Sequence, residues 1–89
     1  PIEARRAKWA DSLSHIFYAY RLDSTIHPTR NYVGFSSNLK PRLIDHNQGH
    51  CDATRPFRPW HIKFYAAFED EQQARDFERY LKTDPGKAF

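Results

Sequence analysis

Short runs rich in β-branched and aromatic residues alternate along the chain with segments of helical spacing. Over residues 15–22 (HIFYAYRL), Ile16, Tyr18 and Tyr20 fall on one face of an extended segment, and Phe17 and Ala19 on the other. That pattern predicts a strand buried on both faces or nearly so. Residues 23–30, with Ser24, Pro28 and Thr29, read as a loop, and Asn31 to Phe35 as a second short strand, so the two predict an antiparallel hairpin. Ser36, Ser37 and Asn38 then open a helix. Asn38 as N-cap puts Pro41 in the first turn, where its missing N–H is not needed. Leu39, Leu43 and Ile44 form its apolar stripe and Gly49 ends it. A polar loop is expected over 48–60. A third strand is expected over 61–68, with Ile62 and Phe64 alternating with Lys63 and Tyr65. A second helix is expected over 69–82, with Ala74, Phe77 and Leu81 inward and Asp84-Pro85-Gly86 closing it. Residues 1–14 read as an N-terminal arm or short helix preceding one domain over 15–89. The order strand, strand, helix, strand, helix predicts an α+β fold, a three-stranded antiparallel sheet flanked by helices.

Composition narrows the function classes. Eighty-nine residues make one small domain, and aromatic residues at 16% supply core area where aliphatic ones are scarce. No stretch approaches the roughly 18 uncharged apolar residues of a membrane span. Cys51 is the single cysteine, which rules out an intrachain disulfide and a zinc site built from thiolates. With no secretory leader visible, a cytoplasmic location is the expectation. The formal net charge is +3, and the basic excess sits mid-chain, in Lys40, Arg42, Arg55, Arg58 and Lys63 against Asp45 and Asp52. Arg, His and aromatics interleaved in this way fit a polyanionic partner, although a solvated surface would read the same.

Three polar residues interrupt the helical patterns. Arg42 and His46 are four apart and share one face at the border of the Leu39–Leu43 stripe. Glu78 lies between Phe77 and Leu81 and four after Ala74, in or beside the inward stripe. A carboxylate there needs a salt bridge, a wet cleft or a cation to offset a desolvation cost of several kcal/mol. Each residue taken alone has a plain structural reading: a half-exposed rim carboxylate for Glu78, a surface arginine, a helix-end histidine favoured by the dipole, and core-filling strand tyrosines. Conflicts of this kind nevertheless gather at functional sites.

Taken in order, these residues form a recognisable set. Tyr18-Ala19-Tyr20 is followed by Tyr32-Val33-Gly34, and then by Leu39-Lys40-Pro41-Arg42-Leu43-Ile44-Asp45-His46-Asn47. Arg58-Pro59-Trp60 precedes the third strand, and Ala74 to Lys82 (ARDFERYLK) leads to Gly86-Lys87-Ala88-Phe89. The set resembles the GIY-YIG nuclease family, closest to its small single-domain bacterial type, over residues 16–89. The first triplet departs from Gly-Ile-Tyr, and Tyr20 is aligned with the family's first tyrosine because Leu22 follows it.

The resemblance implies an endonuclease that hydrolyses phosphodiester bonds of DNA, branched or damaged DNA among its candidate substrates, with one Mg²⁺ or Mn²⁺ ion. It assigns Tyr20, Tyr32, Arg42, His46 and Glu78 to catalysis, with Glu78 as the metal ligand. Arg42 would face the scissile phosphate. Tyr20, acidified by nearby positive charge, would be the base, with Tyr32 and His46 as alternatives. Lys40, Arg55, Arg58 and Lys63 would contact the phosphate backbone. On this reading the tyrosine-bearing sheet face, the first helix and the inner face of the last helix meet over one cleft. Two other classes stay open: a nucleic-acid-binding module that kept the fold without cleaving, and an adaptor anchored by Trp9, Phe57 and Trp60. Oligomeric state is not legible.

Overall fold

A computed structural model of the chain describes residues 16–89, so the arm predicted over 1–14 and the first residue of the predicted strand, His15, lie outside the described residues. The elements are β1 (Phe17–Ser24), β2 (Asn31–Ser36), α1 (Leu39–Gln48), a 3₁₀ turn (Arg55–Phe57), β3 (Trp60–Phe68), α2 (Glu71–Leu81) and α3 (Asp84–Lys87). The strands form one antiparallel sheet in the order β2-β1-β3. This is the expected α+β architecture. Among the described residues no helix is long and apolar enough to cross a membrane.

The central position of β1 explains its apolar sequence. Ala19, Tyr20 and Leu22 are all buried, and the strand runs on to Ser24 because Asp23 pairs with Asn31 and His61, and Ser24 with Trp60. Residues directly opposite in antiparallel strands share a face. One face therefore carries Tyr18, Tyr20 and Leu22, with Tyr32 opposite Leu22 and Tyr65 opposite Tyr20. Leu39 and Leu43 of α1 pack on this face against Tyr20, Leu22 and Trp60. The other face carries Phe17 and Ala19, with Phe35, Ala66 and Phe68 opposite them. Here Phe77 of α2 packs on Phe68 at 5.7 Å between ring centroids, and the Arg75 guanidinium lies 4.1 Å over the Phe35 ring. The two long helices thus pack on opposite faces of the sheet.

A second expectation is corrected within β3. Ile62 and Phe64 do not share a face. A β-bulge shifts the register between Arg21 and Leu22, so that Arg21 pairs with Phe64 but Leu22 pairs with Ile62. The extra residue turns Ile62 and Trp60 toward α1, while Phe64 stays on the α2 side and packs on Phe89 at 5.2 Å.

α1 starts at the expected Asn38, which is extended (φ −148°, ψ 92°) but makes no capping bond with its side chain. Ser36 Oγ satisfies the Asn38 N–H instead, at 2.9 Å. The helix stops at Gly49, whose φ of 83° is left-handed and lets its N–H and that of His50 turn back onto His46 and Asp45 carbonyls. At the other end of the chain, Asp84-Pro85-Gly86 does not simply terminate α2. Thr83 caps a further turn by accepting from Gly86 N, and Pro85 sits near its start, where proline is favoured. The polar segment before β3 is fastened to α1 by Asn47, whose side-chain amide donates to Trp60 O (3.1 Å) and accepts from Trp60 N (2.6 Å).

Asn47→Ala strips both bonds from partly buried backbone groups. It should lower unfolding stability by about 1–3 kcal/mol, seen as a lower urea midpoint at unchanged slope. An unaltered midpoint would show that the clamp contributes nothing.

Candidate active site

Four of the five predicted catalytic residues meet on the α1 face of the sheet. Their placement follows from local geometry. Arg42 and His46 are one turn apart on α1, and the Leu39–Leu43 packing turns their side of the helix toward β1. Tyr20 projects from the central strand and its Oη lies 3.0 Å from His46 Nε2. The Tyr32 ring stands 4.9 Å from the His46 ring and 6.4 Å from that of Tyr20. Tyr20 and His46 are 1% and 0% exposed, so the helix-end histidine displayed to solvent is not what forms. Gly34 sits opposite Tyr20 in the register and is what makes room for the phenol. A Cβ there would collide with Tyr20 Oη and Cζ and with the Tyr32 ring.

Burial sets the electrostatics of the pair. It pushes the Tyr20 phenol up to about 12; the Arg42 guanidinium beside it pulls the other way without compensating. The expected acidification of Tyr20 by Arg42 is therefore outweighed. The Arg42 guanidinium is itself held more firmly protonated by its contact with the phenol. His46 is shifted the opposite way from Tyr20, down from its ordinary value, by burial first and by the Arg42 charge second. Near neutral pH the phenol keeps its proton and the imidazole stays neutral.

His46 Nδ1 faces Thr54 Oγ1 at 2.8 Å, and the Thr54 hydroxyl reaches Cys51 O at 3.3 Å. Thr54, 1% exposed, lies in a segment that reads from sequence only as polar loop. The signal that could have pointed to it is indirect: a buried histidine needs a partner for each ring nitrogen.

Glu78 does not touch this group. Among the described residues no hydrogen bond or ion pair links it to Tyr20, Tyr32, Arg42 or His46. Its carboxylate is 21% exposed and pairs with Lys82 Nζ at 3.3 Å. It belongs to α2, whose Phe77 packs on the opposite face of the sheet from Tyr20. At the edge strand a cavity of about 250 Å³ is lined by Tyr32 and Val33 of β2, by Leu81 of α2 and by Lys82 just after it.

The four predicted backbone-contacting cations divide. Lys40 is exposed on the first turn of α1 and lines a second cavity, of about 320 Å³, with Tyr18 and Tyr65. Arg55 donates to Gly49 O at 2.8 Å and pairs with Asp52; Arg58 donates to Arg55 O at 3.0 Å. Both brace the loop after α1. Lys63 lies 4.0 Å from Asp23, which is bonded to Arg21, on the face away from Tyr20.

The family model of the GIY-YIG catalytic domain matches residues 16–87. The chain belongs to the GIY-YIG family. No curated protein and no solved structure matches it. GIY-YIG domains are endonuclease domains that act on DNA and generally use a divalent metal.

The residues present fit such an ion in one way. Among the described residues no three His, Cys, Asp or Glu converge, so Glu78 would be the single carboxylate offered to the ion. A single hard oxygen suits Mg²⁺ or Mn²⁺ completed by water and substrate phosphate. Its present partner, Lys82, forms a partly exposed i,i+4 pair worth only about 0.3–0.5 kcal/mol, which a cation would have to displace.

Two outcomes follow from this GIY-YIG site. Gly34→Ala should destabilise the fold by about 1–3 kcal/mol, although alanine ordinarily suits a strand better than glycine. A raised urea midpoint would mean the phenol does not fill that space. The lowered His46 pKa has a defined sign: below ~6.5 the unfolded histidine takes up a proton and the folded one does not. Stability should fall as pH drops through ~6.5 and level off once folded His46 protonates. His46→Gln should be flatter than the parent over that window, and equal slopes would exclude a buried neutral His46.

Proposed function

We propose that the chain is a divalent-metal-dependent endonuclease hydrolysing phosphodiester bonds of DNA by in-line attack of water, one strand per site. The observation that carries this reading is the bond between the buried Tyr20 phenol and His46 Nε2, with the Arg42 guanidinium beside the same oxygen. A phenol held near 12 is a poor base alone. Joined to a neutral imidazole, it can hand its own proton to Nε2 as it takes one from the attacking water. Tyr20 is then the contact with the nucleophile and His46 the final acceptor. Tyr32, packed on the His46 ring, keeps the imidazole aligned. Arg42 offers a fixed planar fork to the scissile phosphate, stabilising charge as it grows.

Glu78 is the residue that would hold one Mg²⁺ or Mn²⁺. When bound, the ion supplies Lewis-acid stabilisation of the phosphate and of the leaving oxygen. Lys40, exposed beside the tyrosine face, with Arg55 and Arg58 along the following loop, would meet flanking phosphates and position DNA without reading its sequence.

The test is nicking of supercoiled plasmid and of branched and abasic oligonucleotide duplexes, with Mg²⁺, with Mn²⁺ and with EDTA. The parent chain should cut only with metal, and Arg42→Ala and Glu78→Ala should each lose about 10²–10³-fold or more. Salt-sensitive DNA binding by the parent with no cutting of any substrate would instead establish a non-cleaving binding module.

A further inference from the structure

We infer that Thr54 is a positioning residue for this reaction: its hydroxyl oxygen accepts from His46 Nδ1–H and so keeps the Nε2 lone pair aimed at the Tyr20 phenol. The inference rests on the nuclease reading for its catalytic part and on hydrogen-bond geometry alone for its structural part.

Two ends of the chain of bonds select the same arrangement. At the Tyr20 end, the phenol is buried and the guanidinium beside it has donors only. The phenolic proton therefore needs an acceptor, and among the described residues His46 Nε2 at 3.0 Å is its hydrogen-bond partner. A neutral imidazole accepting at Nε2 carries its proton on Nδ1. At the other end, Nδ1–H meets Thr54 Oγ1 at 2.8 Å, and that oxygen is free to accept because its own proton points to Cys51 O at 3.3 Å. The opposite tautomer would strand the Tyr20 proton in a buried site and turn the Thr54 hydroxyl away from Cys51.

Thr54 is well held for such a task. Its carbonyl accepts from Trp60 Nε1 at 2.8 Å and from Phe57 N at 3.1 Å, and its N–H donates to Cys51 O at 3.2 Å. The hydroxyl is thus anchored to the loop that leads into β3, and fixes the ring of a residue on α1 from outside that helix. Partners of this kind, one bond removed from the reacting groups, commonly contribute about 10–100-fold to activity.

The experiment combines long-range ¹H–¹⁵N spectra of the histidine rings with nicking kinetics, on the parent chain, Thr54→Val and Thr54→Ser. In the parent, His46 should show a protonated Nδ1 and an unprotonated Nε2. Thr54→Val should lose that preference and lower kcat about 10–100-fold at little-changed KM for DNA. Thr54→Ser should restore both. A parent His46 protonated on Nε2 overturns the inference, and that measurement does not depend on any variant folding. So does a Thr54→Val chain that shifts tautomer yet keeps full kcat, or one that keeps the Nδ1–H form. A parent inert on every DNA, with the tautomer shift still seen in Thr54→Val, would sink the nuclease reading while supporting the role of Thr54 in setting the imidazole.

Discussion

The hydrogen bond between Tyr20 and His46 is the constraint around which the rest of the domain is arranged. It joins the central strand to α1 in a region with almost no access to water. An unsatisfied polar group in such a place costs about 1–3 kcal/mol, so every atom of the pair must be provided for. Gly34 clears the space for the phenol, and Thr54 answers the far nitrogen of the ring. Thr54 can do so only because Trp60 and Phe57 hold its carbonyl, and Trp60 is in turn held by Asn47 at the end of α1. The circuit returns to the helix on which it began. Among the described residues no buried side-chain nitrogen or oxygen is left without a partner.

The sheet separates two tasks by face. The side carrying Phe17, Phe35 and Phe68 meets Phe77 of α2, and Phe64 meets Phe89, so most of the aromatic area there is apolar. The side carrying Tyr20 and Tyr32 meets Arg42 and His46, and here the rings bring hydroxyls into the core. A three-stranded sheet is narrow enough for the two sides to communicate around β2, where Tyr32 and Lys82 line one cavity. Glu78 belongs to the helix of the apolar side, where its carboxylate pairs with Lys82. That i,i+4 pair neutralises the carboxylate at little cost in rigidity.

Much of this was legible in the sequence because it depends on local rules. Alternation in FYAYRL marks a strand covered on both faces, Gly49 marks the helix end, and the spacing of Arg42 and His46 places them on one side of α1. What was not legible depends on pairing between distant segments. The bulge that parts Ile62 from Phe64 arises where β3 meets β1, and nothing within HIKFY announces it. The side of the sheet taken by α2 decides where Glu78 stands, and periodicity fixes only which of its residues point inward. Thr54 sits in a stretch without period, so its partner, eight residues earlier, had no pattern to betray it. Asp84-Pro85-Gly86 misled for a different reason. The same three residues serve a helix stop or a helix start, and the Thr83 cap tips them to a start.

Burial acts on the two members of the pair in opposite senses, and this gives the site its direction. It disfavours the charged form of each, raising the Tyr20 phenol and lowering the His46 imidazole. At rest the phenol holds a proton it does not readily release to water, and the unprotonated Nε2 of the imidazole accepts its hydrogen bond at 3.0 Å. The group then carries one net charge, that of Arg42, which faces outward enough to receive an anion. The Arg42 charge is the second cause, after burial, that holds the His46 pKa down. Separation of two pKa values by a shared dry environment is a general route to assigning acid and base within one site. Here that separation is produced by the packing of Leu39 and Leu43 that closes α1 over the sheet.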